Sequence, residues 1–160
     1  MIFIFAQPPL LPSIKALSAE CGLYHADLDA EKVKHLLMCR AEGQLAGIVG
    51  MEVLGDAALL RPPAVAPAFR GRGIGSLLLV RIERFAALQG ARHFYLAAGG
   101  ESGAFFAARG YRALAAEEVP PEVHANEFFR HHLAQGAACL VKPLQARKVP
   151  AARHEAGPVV

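Results

Sequence analysis

The sequence predicts a single-domain α/β protein with one mixed sheet and helices on both of its faces. Its 160 residues suit one domain, because a chain of this length buries one sizeable core but not two. A composition of 54% hydrophobic and 19% charged residues is typical of a packed globular protein. Two hairpin strands followed by the order strand, helix, strand, helix, strand indicate a mixed sheet flanked by helices.

The first elements follow from hydrophobic periodicity and turn residues. Residues 2–6 alternate as a strand, and the apolar spacing from residue 10 predicts a helix that ends at Gly22. A second helix is expected over residues 30–37, because Asp27 or Asp29 can cap its first turn. The next segments form an antiparallel meander of three strands, predicted at residues 38–41, 45–54 and 57–65.

The clearest helix covers residues 74–88, where apolar positions recur at helical spacing and Gly90 follows as the stop. The apolar run 93–98 then suits a buried central strand. The remaining elements are a helix at 102–109, a strand at 111–116, a helical connection from Pro120 through residue 129, and a strand at 137–141. We expect one domain over residues 1–143 and a loose C-terminal tail over residues 144–160.

Charge, cysteine and histidine patterns exclude several classes of function. A net charge of +3, with basic residues spread along the chain, does not favour a nucleic-acid partner. The apolar start is interrupted at Pro8-Pro9, which is too early for a signal sequence or a membrane span, so no membrane partner is expected. Three unpaired cysteines predict reduced thiols in the cytoplasm, and the histidines lack ligand spacing, so no metal is expected.

The strongest motif joins the strand ending at Val65 to the helix beginning at residue 74. Here Gly71, Gly73 and Gly75 alternate, and free N–H groups at a helix start can bind an anion such as a pyrophosphate. The spacing is wrong for a dinucleotide fingerprint, and no Lys follows as a nucleoside-triphosphate loop requires. A plain glycine-rich turn is the alternative, but it would not need the charges of Arg70 and Arg72.

The run Arg70-x-x-Gly73-x-Gly75, entered from Ala64-Val65 with Pro67, resembles the acetyl-CoA signature of the GNAT superfamily of N-acetyltransferases. The resemblance covers roughly residues 10–143 and implies a mostly antiparallel sheet that splays between two parallel strands. It implies acetyl-CoA as cosubstrate, with backbone N–H groups holding the pyrophosphate and Val65 offering its N–H to the thioester carbonyl. The implied cofactor-binding residues are Val65, Ala66, Arg70, Gly71, Arg72, Gly73, Ile74, Gly75 and Ser76.

Three further segments, residues 55–61, 105–111 and 121–142, resemble the arsenic-resistance acetyltransferases of the arsinothricin group. That resemblance implies acetylation of the α-amino group of a small amino acid or a glutamate-mimicking toxin. A small-molecule amine is therefore the expected partner, and a homodimer is compatible with the sequence. Alternatives are the same fold acting on an unrelated amine, and a non-catalytic acyl-CoA-binding module.

Acetyl transfer needs a neutral amine, a proton acceptor and a donor to the oxyanion. Glu52, near the end of a hairpin strand, is the predicted base and lies near the acceptor, with Glu101 in reserve. Arg61 is predicted to bind a substrate carboxylate, because a planar guanidinium suits such a group. Phe106 stands where many superfamily members have a Tyr that protonates the thiolate. Pro62-Pro63 cannot donate to a regular sheet ladder, but the resemblance implies a bulge in this strand, where the two prolines would be tolerated.

Overall fold

The computed structural model describes residues 1–145 and contains one seven-stranded sheet. Its spatial order is β1-β2-β3-β4-β5-β7-β6, and every neighbouring pair is antiparallel except β4 and β5, which run parallel. The predicted mixed sheet is therefore confirmed. In chain order the strands are β1 (Ile2–Phe5), β2 (Leu36–Ala41), β3 (Gln44–Leu54), β4 (Ala57–Val65), β5 (His93–Ala98), β6 (Arg112–Leu114) and β7 (Ala138–Pro143).

Helices cover both faces of this sheet. They are α1 (Leu11–Glu20), α2 (Ile74–Leu88), α3 (Ser102–Ala107), α4 (Pro121–His124) and α5 (Glu127–Ala134). Strand β4 shows how the faces divide, because successive side chains of a strand point to opposite sides. Ala58 and Leu60 enter the core beneath α2, whereas Leu59 packs with Val123 of α4 and Phe129 of α5.

The expected second helix over residues 30–37 is wrong. Asp29 does accept hydrogen bonds from the N–H groups of Glu31 and Lys32, as a capping residue should. Only a 3-10 turn, Lys32–His35, follows, because Leu36 already pairs with Gly50 in the sheet. The chain must be extended by that point, so there is no room for a second helical turn.

Pro62-Pro63 lies at a bulge in β4, as expected. Ala64 pairs with Ile48 but Arg61 pairs with Gly50, so the two prolines stand opposite a single β3 residue. A bulge leaves the extra residue unpaired and bends the strand. The missing N–H groups of the prolines therefore cost the ladder little, and the last part of β4 turns away from its earlier course.

The two ends of the chain bear on the remaining expectations. The apolar start forms the edge strand β1, which pairs with β2. Within residues 1–145, no helix has the length and hydropathy needed to span a bilayer. The three cysteines are free thiols, two of them buried. The predicted loose tail lies, from residue 146 onward, outside the described residues.

Candidate active site

A cleft opens where β4 and β5 separate. These two parallel strands are paired only from Ala57 to Leu59 on β4 and from His93 to Tyr95 on β5. Beyond that point they diverge, and a cleft of about 660 Å³ lies between them. The bulge at Pro62-Pro63 lies within this unpaired part of β4, where it bends the strand beside the gap.

The cleft passes through the sheet and reaches both of its faces. On the side of α2 it is lined by Gly75 and Phe105, and on the side of α5 by Leu23 and His132. We call these the α2 side and the α5 side. A molecule that enters from one face can therefore meet a second molecule that enters from the other.

The segment before α2 forms a cradle of free N–H groups on the α2 side. Gly71 and Gly73 both have φ of +80°, a conformation that residues with a side chain rarely adopt. Among residues 1–145, the backbone N–H groups of residues 71–76 find no acceptor, and the first helical bond runs from Leu77 N–H to the Gly73 oxygen. Six unpaired donors at the positive end of a helix make an anion site.

Two predicted members of this cradle are placed differently from expectation. The N–H of Arg70 donates to the Pro67 oxygen at 3.3 Å, so the run of free donors begins at Gly71. The Arg70 side chain reaches back instead and donates from Nε to the Val65 oxygen at 3.0 Å. Arg72 donates to Glu42 at 2.7 Å, so its charge is shared with a carboxylate.

Arg109 is a basic residue of this region that the sequence did not single out. Its guanidinium donates to Ser76 Oγ at 2.6 Å and lies 3.7 Å from the ring centroid of Phe105. It therefore adds a positive charge beside the last residue of the cradle. Only its place before Gly110 marks it in the sequence, because the contact spans 33 positions.

Val65 directs its N–H into the gap. It pairs with Gly47 on β3, and the flanking hydrogen bond runs from Ala66 N–H to the Ala46 oxygen at 2.8 Å. In an antiparallel ladder such a pair does not exchange its own bonds, so the N–H of Val65 points away from β3 and toward β5. Within residues 1–145 no strand is paired with Val65 on that side, which leaves the donor available. The N–H of Ala66, by contrast, donates its hydrogen bond within the sheet, to the Ala46 oxygen.

Glu52 and Arg61 lie outside the cleft lining. The Glu52 carboxylate accepts a hydrogen bond from Asn126 Nδ2 at 2.8 Å and lies 3.7 Å from Lys32 Nζ. The Arg61 guanidinium is bound to the carboxylate of Asp27. The structure thus joins both residues to one polar network beneath α5 and does not bring them to the cradle. Their predicted roles toward a substrate stay predictions.

Glu101 and Phe106 both line the cleft. Glu101 immediately precedes α3, so its carboxylate belongs to the region just beyond the end of β5. Phe106 is buried and packs edge-on against Tyr111, with ring centroids 5.3 Å apart. A phenyl ring has no proton to give, so this position cannot act as a general acid.

His132 lines the cleft and was also missed by sequence reasoning, since its neighbour in space is Tyr24, 108 positions away. The backbone N–H of Tyr24 donates to His132 Nε2 at 3.2 Å. That nitrogen must therefore be unprotonated, and the proton of the neutral ring sits on Nδ1. Desolvation lowers the pKa of His132 from its ordinary value of 6.5, and the nearby charges of His131 and Arg61 add to this.

The His132 bond predicts a pH-dependent stability. Because the folded-state pKa is lowered, the unfolded chain takes up a proton first, and stability falls as pH drops below 6.5. Urea unfolding of the wild type and of His132→Gln, measured between pH 7.5 and 5.5, checks this. Part of the slope below pH 6.5 should vanish in the variant, whose amide oxygen can still accept the Tyr24 N–H. Equal slopes would contradict the prediction.

The fold and the splayed cleft together define an acyltransferase-type architecture, and the family comparison agrees. The model of the acetyltransferase (GNAT) family matches residues 7–111. The chain therefore belongs to the GNAT family of acetyltransferases. No curated protein is significantly similar to it in sequence. No group of three or more potential metal ligands occurs within residues 1–145.

Solved structures share the fold at low identity. N-acetylglutamate synthase from Neisseria gonorrhoeae, complexed with coenzyme A and N-acetyl-glutamate, is 22% identical over 90% of this chain and 35% of its own, with a TM-score of 0.75. Rv2747 from Mycobacterium tuberculosis, in complex with CoA and NLQ, is 22% identical over 91% and 100%, also at 0.75. An aminoglycoside 6'-N-acetyltransferase complexed with coenzyme A is 18% identical over 93% and 100%, at 0.65. The chain spans about a third of the length of the Neisseria protein.

Proposed function

We propose that the protein transfers an acetyl group from acetyl-CoA to the amine of a small molecule. The observation that carries this proposal is the cleft between β4 and β5, which has the N–H cradle on one side and is open to the other face. The amine nitrogen forms a bond to the thioester carbon, the C–S bond breaks, and CoA leaves as the thiolate. The proton lost by the amine goes to a base.

In this proposal the N–H groups of residues 71–76 hold the pyrophosphate, and the N–H of Val65 stabilises the oxyanion. Gly75 lines the cleft beside these donors, and even a Cβ added there would lie 3.8 Å from Val65 Cγ2 and 3.9 Å from Phe105 Cζ, which are ordinary contacts. Glu101 is the leading proton acceptor because it lines the cleft. Glu52 remains a predicted base that would have to act through water.

For the acceptor we propose the α-amino group of a small amino acid or amino-acid toxin such as a glutamate analogue. The resemblance to the arsinothricin group supports it, and so does the shared fold with a synthase bound to N-acetyl-glutamate. A role in arsenic resistance follows from the same resemblance. The free thiols favour the reducing cytoplasm as the place of action.

A second candidate is an amine without a carboxylate. The observation that favours it is the Asp27 carboxylate on Arg61, which already fills the predicted carboxylate site from within the protein. The arginine that does line the cleft, Arg70, donates its Nε–H to the Val65 oxygen. An amine without a carboxylate needs no basic residue of the protein to bind it. Its nitrogen could approach Glu101, which lines the cleft.

The test is thiol release from acetyl-CoA across a panel of amines, with glutamate analogues and matched amines that lack the carboxylate. Turnover that is at least about tenfold higher in kcat/KM for the glutamate analogues, or 1.4 kcal/mol, supports the first candidate. The reverse preference supports the second. Silence across the whole panel, with acetyl-CoA still bound, would overturn catalysis and favour an acyl-CoA-binding module.

A further inference from the structure

The segment that follows α1 is both a wall of the cleft and the partner of a buried charge. We call residues 21–27 the cover segment. Its first part supplies Cys21, Gly22 and Leu23 to the lining of the cleft. Its last part supplies Asp27, whose carboxylate is bound by Arg61 of β4. The seven residues of the cover segment thus connect Arg61 to the α5 side of the cleft.

Arg61 is enclosed by groups of the protein itself. Besides the bond to Asp27, it donates from Nη1 to the Tyr24 oxygen at 2.9 Å, and its Cζ lies 4.1 Å from the centroid of the Phe128 ring. The side chains of Arg61 and Asp27 are only 7% and 1% exposed. The guanidinium therefore has its planar face and two of its edges occupied, and it grips the cover segment at two points.

Tyr24 links this grip to α5. Its N–H donates to His132, its ring stacks on His131 with centroids 4.2 Å apart, and its hydroxyl donates to Glu127. The carbonyl and the N–H of one residue are thus held by Arg61 and by His132. Leu23 and His132 form the wall on the α5 side, so their positions depend on the same contacts.

We propose that Arg61 is a positioning residue for the acceptor: with Asp27 it fixes the cover segment and, through Tyr24, the ring of His132. This inference rests on the proposed acetyltransferase function. Arg61 acts on the acceptor through the walls of the cleft and does not bind it directly. Within residues 1–145 the second oxygen of Asp27 is buried without a partner. A buried ion pair in which one carboxylate oxygen lacks a hydrogen-bond partner adds little net stability. We therefore assign to this pair the role of holding the cover segment in position.

The test compares Arg61→Met, Asp27→Leu and the double variant, whose new side chains are apolar and cannot form the ion pair. Lys142→Met is the matched control. It also replaces the cation of an ion pair, but neither Lys142 nor its partner Glu83 lines the cleft. Rates are measured with one acceptor that carries a carboxylate and one that lacks it. The Kd for acetyl-CoA and the amide hydrogen exchange of Tyr24 are measured in parallel.

We expect each single variant to lower kcat/KM at least tenfold for both acceptors, with the Kd for acetyl-CoA changed less than twofold. The double variant should be no worse than the poorer single, because both single variants already remove the contact between Arg61 and Asp27. Exchange at Tyr24 should quicken at least tenfold in all three and stay unchanged in the control. If the singles do not fold, the double variant and Arg61→Lys, which can form only one of the two bonds, carry the same comparison.

Two results would overturn the inference. Loss confined to the carboxylate-bearing acceptor, with Asp27→Leu as active as the wild type, would make Arg61 a substrate ligand. Unchanged exchange at Tyr24 would show that the pair does not hold the cover segment. If the wild type acetylates no amine while exchange at Tyr24 quickens as expected, the proposed function fails and the structural role of the pair stands.

Discussion

Replacing Gly75 with leucine should raise the Kd for acetyl-CoA about a hundredfold, or 2.7 kcal/mol of binding free energy. Gly75 is the second residue of α2, and it lines the cleft between Val65 and Phe105. A Cβ there would make ordinary contacts at 3.8 and 3.9 Å, and we expect the longer leucine side chain to extend into the cleft that Gly75 lines. Leucine is a better helix former than glycine, so the loss of binding should come without loss of stability.

Two controls separate this steric effect from a general one. Gly75→Ala adds only the tolerated Cβ and should bind acetyl-CoA within a few-fold of the wild type. Isothermal titration with acetyl-CoA, and thermal unfolding of each variant, make the comparison. If Gly75→Leu binds as tightly as Gly75→Ala, the cradle does not hold the cofactor.

A second pair of variants tests the conformation of the cradle. Gly73 and Gly43 have φ of +80° and +73°, and neither would meet another atom through an added Cβ. Alanine at either position therefore carries a similar backbone cost, about 1 kcal/mol. Only Gly73→Ala should weaken acetyl-CoA binding, because Gly43 lies in the hairpin turn between β2 and β3. Equal affinities in both variants would speak against the cradle.

The local parts of this molecule were predictable because their causes are local. The bounds of α2, β4 and β5 follow from apolar spacing and from the glycines that stop the helix, and the structure has them as predicted. The bulge at Pro62-Pro63 was predictable for the same reason, since a missing N–H has a fixed consequence in a ladder. The cradle is also a local feature, because its backbone conformation depends on Gly71 and Gly73, directly before α2.

The helix expected over residues 30–37 failed because sheet pairing competes with capping. Asp29 performs its capping role, but Leu36 is claimed by β3 across 14 positions. No property of residues 30–37 alone reveals that claim. The local signal was correct and the tertiary demand was stronger.

The α5 side of the cleft was out of reach of the sequence for a related reason. His132 matters through Tyr24, and Arg61 through Asp27, over separations of 108 and 34 positions. In the sequence, Arg61 stands out as a charged residue in an otherwise apolar strand. The sequence could not show that the carboxylate bound by Arg61 is that of Asp27 and not that of a substrate.

Replacing Val65 with proline should lower kcat by about a hundredfold to a thousandfold, the usual effect of removing one oxyanion donor. The sheet loses nothing, because the neighbouring ladder bond is made by Ala66 N–H and the N–H of Val65 points away from β3. Residue 64 is already extended, as the residue before a proline must be. The substitution thus removes a single donor at the gap.

Val65→Ala is the matched control, since it trims the side chain and keeps the N–H. Both variants are assayed for kcat with saturating acetyl-CoA and amine, and for their unfolding temperature. A large fall in kcat in the proline variant alone assigns the effect to the N–H if the Kd for acetyl-CoA is unchanged, because the proline ring also places its Cδ where the N–H pointed. If the two variants turn over at the same rate, the N–H of Val65 does not stabilise the oxyanion. The N–H groups of residues 71–76 could take over that role only if the thioester were bound in a different position.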